Sequence, residues 1–176
     1  MSWPRIIITL VIISVLEAGS RNYIKLLGAN PELVLIGVLF FSLNSDKEKG
    51  AVCGFAGGLL EMVFSGAHPL ILVLYGAIGY AAGLYKEALY RHLASAQMII
   101  AAIAVVSSTL IYGLLISSAG FPYYKAVIFI TIPVAIYTSL LAPPVFRVLE
   151  FFMPSIETDY KEIVFKKKVF EGRRPQ

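Results

Sequence analysis

Apolar residues in this chain run in long blocks, and most of the charged residues lie between the blocks. Leu, Ile, Val, Ala, Phe and Gly occupy every face of such a block, so each block would form a helix that is apolar all round. A helix of that kind is either enclosed by protein or surrounded by lipid. Only 15% of the 176 residues are charged and 58% are hydrophobic, whereas a soluble domain has roughly a quarter charged residues. The sequence therefore predicts an integral membrane protein made almost entirely of transmembrane helices.

Six blocks can be separated at proline, glycine and charged residues. We predict transmembrane helices over residues 4–27, 31–43, 50–64, 69–85, 96–119 and 126–152. The hexapeptide 44–49 carries four successive charges and is predicted to be a loop, and Pro143 with Pro144 is predicted to break the sixth helix near its end. The expected fold is all-α, with six spans in one compact bundle over residues 1–153 and a basic tail over residues 154–176.

The second and third blocks are short for a membrane span. At roughly 13 and 15 residues they would rise only about 20 Å, against a hydrocarbon core of about 30 Å. They could span by thinning the bilayer or by recruiting flanking residues, or they could form a re-entrant hairpin. We favour spans, because irregular backbone at membrane depth needs protein or water around it and a small bundle offers little of either.

Lysine and arginine are unevenly distributed across the predicted topology. With six spans and a cytoplasmic N-terminus, twelve basic residues lie on the cytoplasmic side and three lie outside, namely Arg21, Lys25 and Lys125. Basic residues accumulate in cytoplasmic loops of membrane proteins. The distribution therefore predicts that both termini are cytoplasmic.

The chain lacks the motifs on which enzyme chemistry usually rests. It has no glycine-rich phosphate loop, no Gly-x-Ser-x-Gly elbow and no Cys and His residues at zinc-binding spacing. Its single cysteine, Cys53, excludes an intrachain disulfide. We expect no catalytic residue, no metal, no cofactor and no nucleic-acid partner.

Glycine forms the clearest pattern in the third and fourth blocks. Residues four apart lie on one face of a helix, where missing side chains let another backbone approach closely. The glycines concerned are Gly50, Gly54, Gly57, Gly58, Gly76, Gly79 and Gly83. They predict either close packing of the third helix on the fourth or a seam for another membrane protein.

Acidic residues inside apolar blocks form the second candidate group, because a carboxylate in lipid is costly. Glu17 and Glu61 could belong to a proton or cation relay or could form structural pairs, and we favour pairing. Arg21 lies one turn after Glu17, at the spacing of an i,i+4 pair. Glu32 follows Pro31 in the first turn of its block, where the helix dipole favours a negative charge.

Four motifs in order resemble the rod shape-determining protein MreD family over residues 31 to about 91. They are Pro31-Glu32-Leu33-Val34-Leu35, Gly50-x-x-x-Gly54-Phe55-x-x-Gly58-Leu59-Leu60-Glu61, Ser65-Gly66-x-x-Pro69-Leu70 and Gly76-x-x-Gly79-Tyr80-x-x-Gly83. The acids at Glu32 and Glu61 match family positions. The flanking spans agree in number and length.

The resemblance implies a non-enzymatic subunit of the bacterial cell-elongation complex in the cytoplasmic membrane. Such proteins bind MreC and, directly or through it, the RodA glycosyltransferase and a class B penicillin-binding protein of peptidoglycan synthesis. They associate with the MreB filament through the complex. Proteins of this family are also similar in architecture to the six-helix substrate-binding subunits of energy-coupling-factor transporters.

That similarity supplies an alternative function, a vitamin-binding subunit with polar groups converging on a pocket near the outer face. The polar residues predicted at that face look too few and scattered to specify a ligand. They are Glu17, Arg21, Asn22, Lys25, Asn30, Glu32, Ser65 and His68. A third alternative, a small secondary transporter, would show internal repeats, which the sequence does not.

The basic tail interleaves apolar residues with lysines. Phe165 and Phe170 flank the run Lys166, Lys167 and Lys168. Such a segment could place its aromatic rings among lipid headgroups and its lysines against anionic lipid. It could instead be an unstructured tail that only enforces topology, or it could dock on a cytoplasmic partner.

Overall fold

Six α-helices make up the regular structure of the residues that the computed structural model describes, which are 3–21, 23, 30–85, 94–118 and 124–153. The part of the chain so described contains no strand. The helices are α1 (Trp3–Ser20), α2 (Leu33–Leu43), α3 (Lys47–Ser65), α4 (Leu70–Leu84), α5 (Ala94–Ser118) and α6 (Tyr124–Phe152).

Three of these helices are long and apolar enough to cross a membrane. They comprise α1, the segment Ala94–Leu114 of α5 and the segment Thr131–Phe152 of α6. The helices α2 and α4 are apolar but shorter, with 11 and 15 residues. The third helix has 19 residues but includes the charged residues Lys47, Glu48, Lys49 and Glu61. Length and composition therefore establish three candidate spans among the described residues.

The central element is α2, which packs against each of the other five helices. All ten of its residues from Val34 to Leu43 are buried. Around it, α1 packs on α3, α3 on α4, α4 on α5 and α5 on α6. A helix that is apolar on every face is thus surrounded by protein on every face, which is one of the two environments such a helix can occupy.

An aromatic cluster joins α2 to α6. The ring of Phe40 meets those of Phe41 and Phe146 edge-on, with centroid separations of 5.4 Å and 5.5 Å. Phe40 is 1% exposed. Edge-to-face packing of this kind is favourable beyond the burial of the ring surface.

The third helix begins earlier than the sequence suggests, so the prediction that residues 44–49 form a loop is wrong for its second half. Lys47, Glu48 and Lys49 form the first turn of α3 after Asp46 in extended conformation. Their side chains are exposed, so the helix can start here without burying charge. Glu48 also lies in the first turn, where the helix dipole favours an acidic residue.

The sixth helix is not broken at Pro143 and Pro144, contrary to the sequence prediction. It runs continuously through Pro133, Pro143 and Pro144 to Phe152. A proline removes one backbone donor and crowds the preceding turn, but its fixed φ is itself helical. Apolar helices tolerate proline where neighbouring helices and hydroxyl side chains compensate for the lost bond.

Candidate functional site

A cluster of polar side chains joins the C-terminal end of α1 to the C-terminal end of α3. We call Glu17, Arg21, Glu61 and Ser65 the Arg21 cluster. Nη2 of Arg21 donates to Oε1 of Glu61 at 2.6 Å and to the hydroxyl of Ser65, and it lies 3.5 Å from Oε1 of Glu17. The side chains of Glu17 and Glu61 are 5% and 12% exposed. One guanidinium therefore serves two largely buried carboxylates, and its shorter bond is the one to α3.

Glu17 also caps the start of α2. Its second carboxylate oxygen, Oε2, accepts a hydrogen bond from the backbone N–H of Val34 at 2.8 Å. The first N–H groups of a helix have no partner within the helix, and a carboxylate placed there meets the positive end of the helix dipole. Both oxygens of Glu17 are thus engaged, one with α2 and one with Arg21.

Glu32 ties the start of α2 to two further helices. Its backbone N–H donates to Oγ1 of Thr138 in α6 at 3.1 Å, and its carboxylate accepts a hydrogen bond from the hydroxyl of Tyr75 in α4 at 3.4 Å. Glu32 occupies the N-cap position of α2, but its side chain makes no cap hydrogen bond. The helix dipole, which the sequence offered as the reason for an acid here, is therefore not the whole account of Glu32; its side chain also joins α2 to α4.

Several of the polar residues that the sequence interpretation called scattered lie together; Asn22 and Lys25 of that set lie outside the described residues. Glu17, Arg21, Ser65 and Glu61 lie in one network, and Glu32 lies beside it through the start of α2. The predicted pair of Glu17 and Arg21 is present as a longer contact. The sequence did not indicate the partnership of Arg21 with Glu61 or the parts played by Tyr75 and Thr138.

All seven glycines named from the sequence face another helix. Gly50, Gly54 and Gly58 of α3 lie against the backbone of α4, as Gly79 and Gly83 of α4 lie against that of α3; we call these five the glycine seam. A Cβ built on Gly58 would lie 2.7 Å from Cα of Leu72, and one on Gly83 would lie 2.8 Å from Cα of Lys47. Gly57 faces Val38 of α2, and Gly76 faces the ring of Phe55. These small residues are therefore used in packing within the chain.

The remaining site residues predicted from sequence belong to the tail. Phe165, Lys166, Lys167, Lys168 and Phe170 lie outside the described residues. Within the described ranges, no three His, Cys, Asp or Glu side chains are grouped as a metal site would require. Cys53 is a buried free thiol.

The described residues define an all-helical protein in which the side chains of the Arg21 cluster bond to one another and to the start of α2. Three of its helices could cross a membrane. Comparison with protein-family models, with curated proteins and with solved structures finds no match to the chain.

The hydrogen bond from the Glu32 N–H to Thr138 can be tested directly as a contact that holds the start of α2. Replacing Thr138 with valine keeps the shape but removes the acceptor of the Glu32 N–H. An unsatisfied buried donor costs about 1–3 kcal/mol, so we expect a loss of that size in the free energy of unfolding, measured by denaturant titration in mixed micelles. Thr109→Val is the matched control, because its hydroxyl bonds the carbonyl of Val105 in its own helix. An equal loss in both variants would contradict the assignment.

Proposed function

We propose that this chain is a non-enzymatic scaffold subunit of the bacterial cell-elongation complex, a protein like those of the MreD family. It binds MreC and, directly or through MreC, the RodA and class B penicillin-binding protein synthase, and it reaches MreB through the complex. By holding these proteins together it maintains cell shape and supports peptidoglycan synthesis.

The observation that carries this proposal is where the residues of the resemblance lie. Gly54 abuts the backbone of α4, Glu61 pairs with Arg21 of the α1 end, and Glu32 bonds Tyr75 of α4. Each of these residues is used to fix one helix against another. That use supports a protein whose work is to present helix surfaces in fixed positions rather than to carry out a reaction.

The proposal includes six membrane crossings in the bacterial cytoplasmic membrane, with both termini in the cytoplasm. The six helices of the described residues and the twelve-to-three distribution of basic residues support it. The short length of α2 is compatible with a crossing because protein, not lipid, surrounds that helix. Its polar ends can therefore be satisfied by other helices at membrane depth.

The lipid-facing surface offers the area that a scaffold needs. Large apolar side chains are exposed along α3 and along α5, among them Phe55, Val63, Ile103 and Leu114. In a membrane such residues face lipid or the helices of partner proteins. Association there would depend on packing, because lipid removes the hydrophobic drive between helices.

The test is affinity purification of the full-length tagged protein from bacterial membranes. We expect MreC and the RodA–penicillin-binding protein pair to co-purify, and depletion of the protein to make rod-shaped cells round. A tagged multi-pass membrane protein of similar size and unrelated function is the control for non-specific recovery. Recovery of the chain alone, with normal rods after depletion, would contradict the proposal.

The alternative is a vitamin-binding subunit similar to those of energy-coupling-factor transporters. The convergence of polar residues from α1, α3, α4 and α6 on the start of α2 favours it, because a ligand site needs converging polar groups. Against it, the oxygens of Glu17 are both engaged within the protein. Mass spectrometry of the purified protein decides the point: a stoichiometric vitamin would favour this alternative over the scaffold.

A further inference from the structure

Apolar contacts hold α1 along one face only. Its buried face, which includes Ile6, Leu10 and Ile13, packs on α2 and α3. Leu10 and Ile13 lie against Gly37 of α2, so van der Waals packing helps to position α1 even where lipid removes the hydrophobic drive between helices. Many of its other apolar side chains are exposed, for example Ile8 and Leu16 at 57% and 61%. Apolar packing is therefore not the only contribution that can fix this helix in place.

Two polar contacts at one end of α1 provide that specificity. Arg21 bonds Glu61 at 2.6 Å and so joins α1 to α3, while Glu17 bonds the N–H of Val34 at 2.8 Å and so joins α1 to α2. Nη2 of Arg21 also lies 3.5 Å from Oε1 of Glu17. The contact to α3 and the contact to α2 are therefore electrostatically coupled through Arg21 and Glu17. Loss of one contact leaves a buried polar group of the other without a partner.

We propose that Glu17, Arg21 and Glu61 form a polar lock that positions α1. When the lock opens, the last turn of α1, the first turn of α2 and the last turn of α3 loosen together, while the glycine seam keeps α3 on α4. The side chain of Arg21 is 30% exposed, so part of the lock lies within reach of water. The proposal rests on these contacts and is independent of the proposed function.

The lock assigns different roles to its two acids. Glu61 balances the charge of Arg21, so an arginine at position 61 can be matched by an acid at position 21. Glu17 accepts from a backbone N–H of α2, and no change at position 21 can replace that acceptor. A charge exchange between positions 21 and 61 should therefore restore the lock, whereas no substitution of Arg21 should rescue Glu17→Ala.

Hydrogen exchange of the full chain in lipid nanodiscs tests the lock, read at the peptides that contain Val34 and Ser20. We expect Arg21→Glu and Glu61→Arg each to accelerate exchange there by about tenfold or more, the change in opening equilibrium that loss of a charged hydrogen bond produces. The double exchange should return both peptides to within about threefold of the native rate. Peptides from α4 should remain unchanged in every variant.

Matched controls exist on the same two helices. Arg5 of α1 and Glu48 of α3 are exposed, so Arg5→Glu and Glu48→Arg should leave exchange at Val34 unchanged. If a reversed variant cannot be purified, Arg21→Gln, Glu61→Gln and their combination give the same information, since coupled residues have non-additive effects. Additive effects, failure of the exchange to restore the native rate, or equal effects of the controls would each overturn the lock.

Discussion

Replacing Gly54 with leucine is expected to separate α3 from α4 and to lower the free energy of unfolding by about 3 kcal/mol, the upper end of the usual cost of overpacking. A Cβ at this position would overlap the carbonyl oxygen of Tyr75 and lie 2.8 Å from Cα of Gly76. These are backbone atoms, so no side chain can rotate away to make room. Denaturant titration of the purified protein in mixed micelles measures the loss.

Gly19 provides the matched control for this prediction. It also lies in a helix, but nothing lies within 4 Å of a Cβ built on it. Leucine is a better helix former than glycine by up to about 1 kcal/mol, so Gly19→Leu should leave stability unchanged or raise it slightly. If both variants lose stability equally, the effect of Gly54→Leu does not come from the contact with α4.

Replacing Phe40 with alanine is expected to have the other large effect, a loss of about 3–5 kcal/mol in the free energy of unfolding. Phe40 lies at the centre of the protein and contacts the rings of Phe41 and Phe146. Its neighbours come from the same rigid core, so they cannot close the cavity completely. The same titration measures the loss, and Phe40→Leu should recover much of it by refilling most of the volume.

Phe129 is the matched control for Phe40. It lies in α6 and is 81% exposed, so alanine there removes no buried contact. We expect a change within about 0.5 kcal/mol. A large loss at Phe129 with little loss at Phe40 would mean that α2 does not occupy the centre of the protein.

The number and approximate limits of the helices could be predicted from the sequence, because each apolar block corresponds to one helix. The predicted fourth segment, 69–85, compares with α4 at Leu70–Leu84. Two predictions about helix limits were wrong, because the position of the residues in the fold outweighed a local sequence rule. Charged residues at Lys47–Lys49 lie at a helix start with exposed side chains, and Pro143 with Pro144 lies in a helix whose neighbours support it.

The candidate site was predictable only where its partners are close in sequence. The pairing of Glu17 with Arg21 follows from four-residue spacing, and the glycine face of α3 follows from the same periodicity. Arg21 and Glu61 are 40 residues apart, and Glu32 and Thr138 are 106 apart. No periodicity connects such pairs, because their distance is set by how the helices pack around α2.

The enclosure of α2 also bears on how the chain is made. Eleven residues rise only about 17 Å, and the backbone groups that open this helix find their acceptors on α1 and on Thr138 of α6. The ribosome adds about 5–20 residues each second, so the 106 residues from Glu32 to Thr138 take about 5–20 s to synthesise. During that interval α2 has been translated but its cap from α6 does not yet exist. The centre of the protein therefore reaches its final arrangement only after α6 has been synthesised.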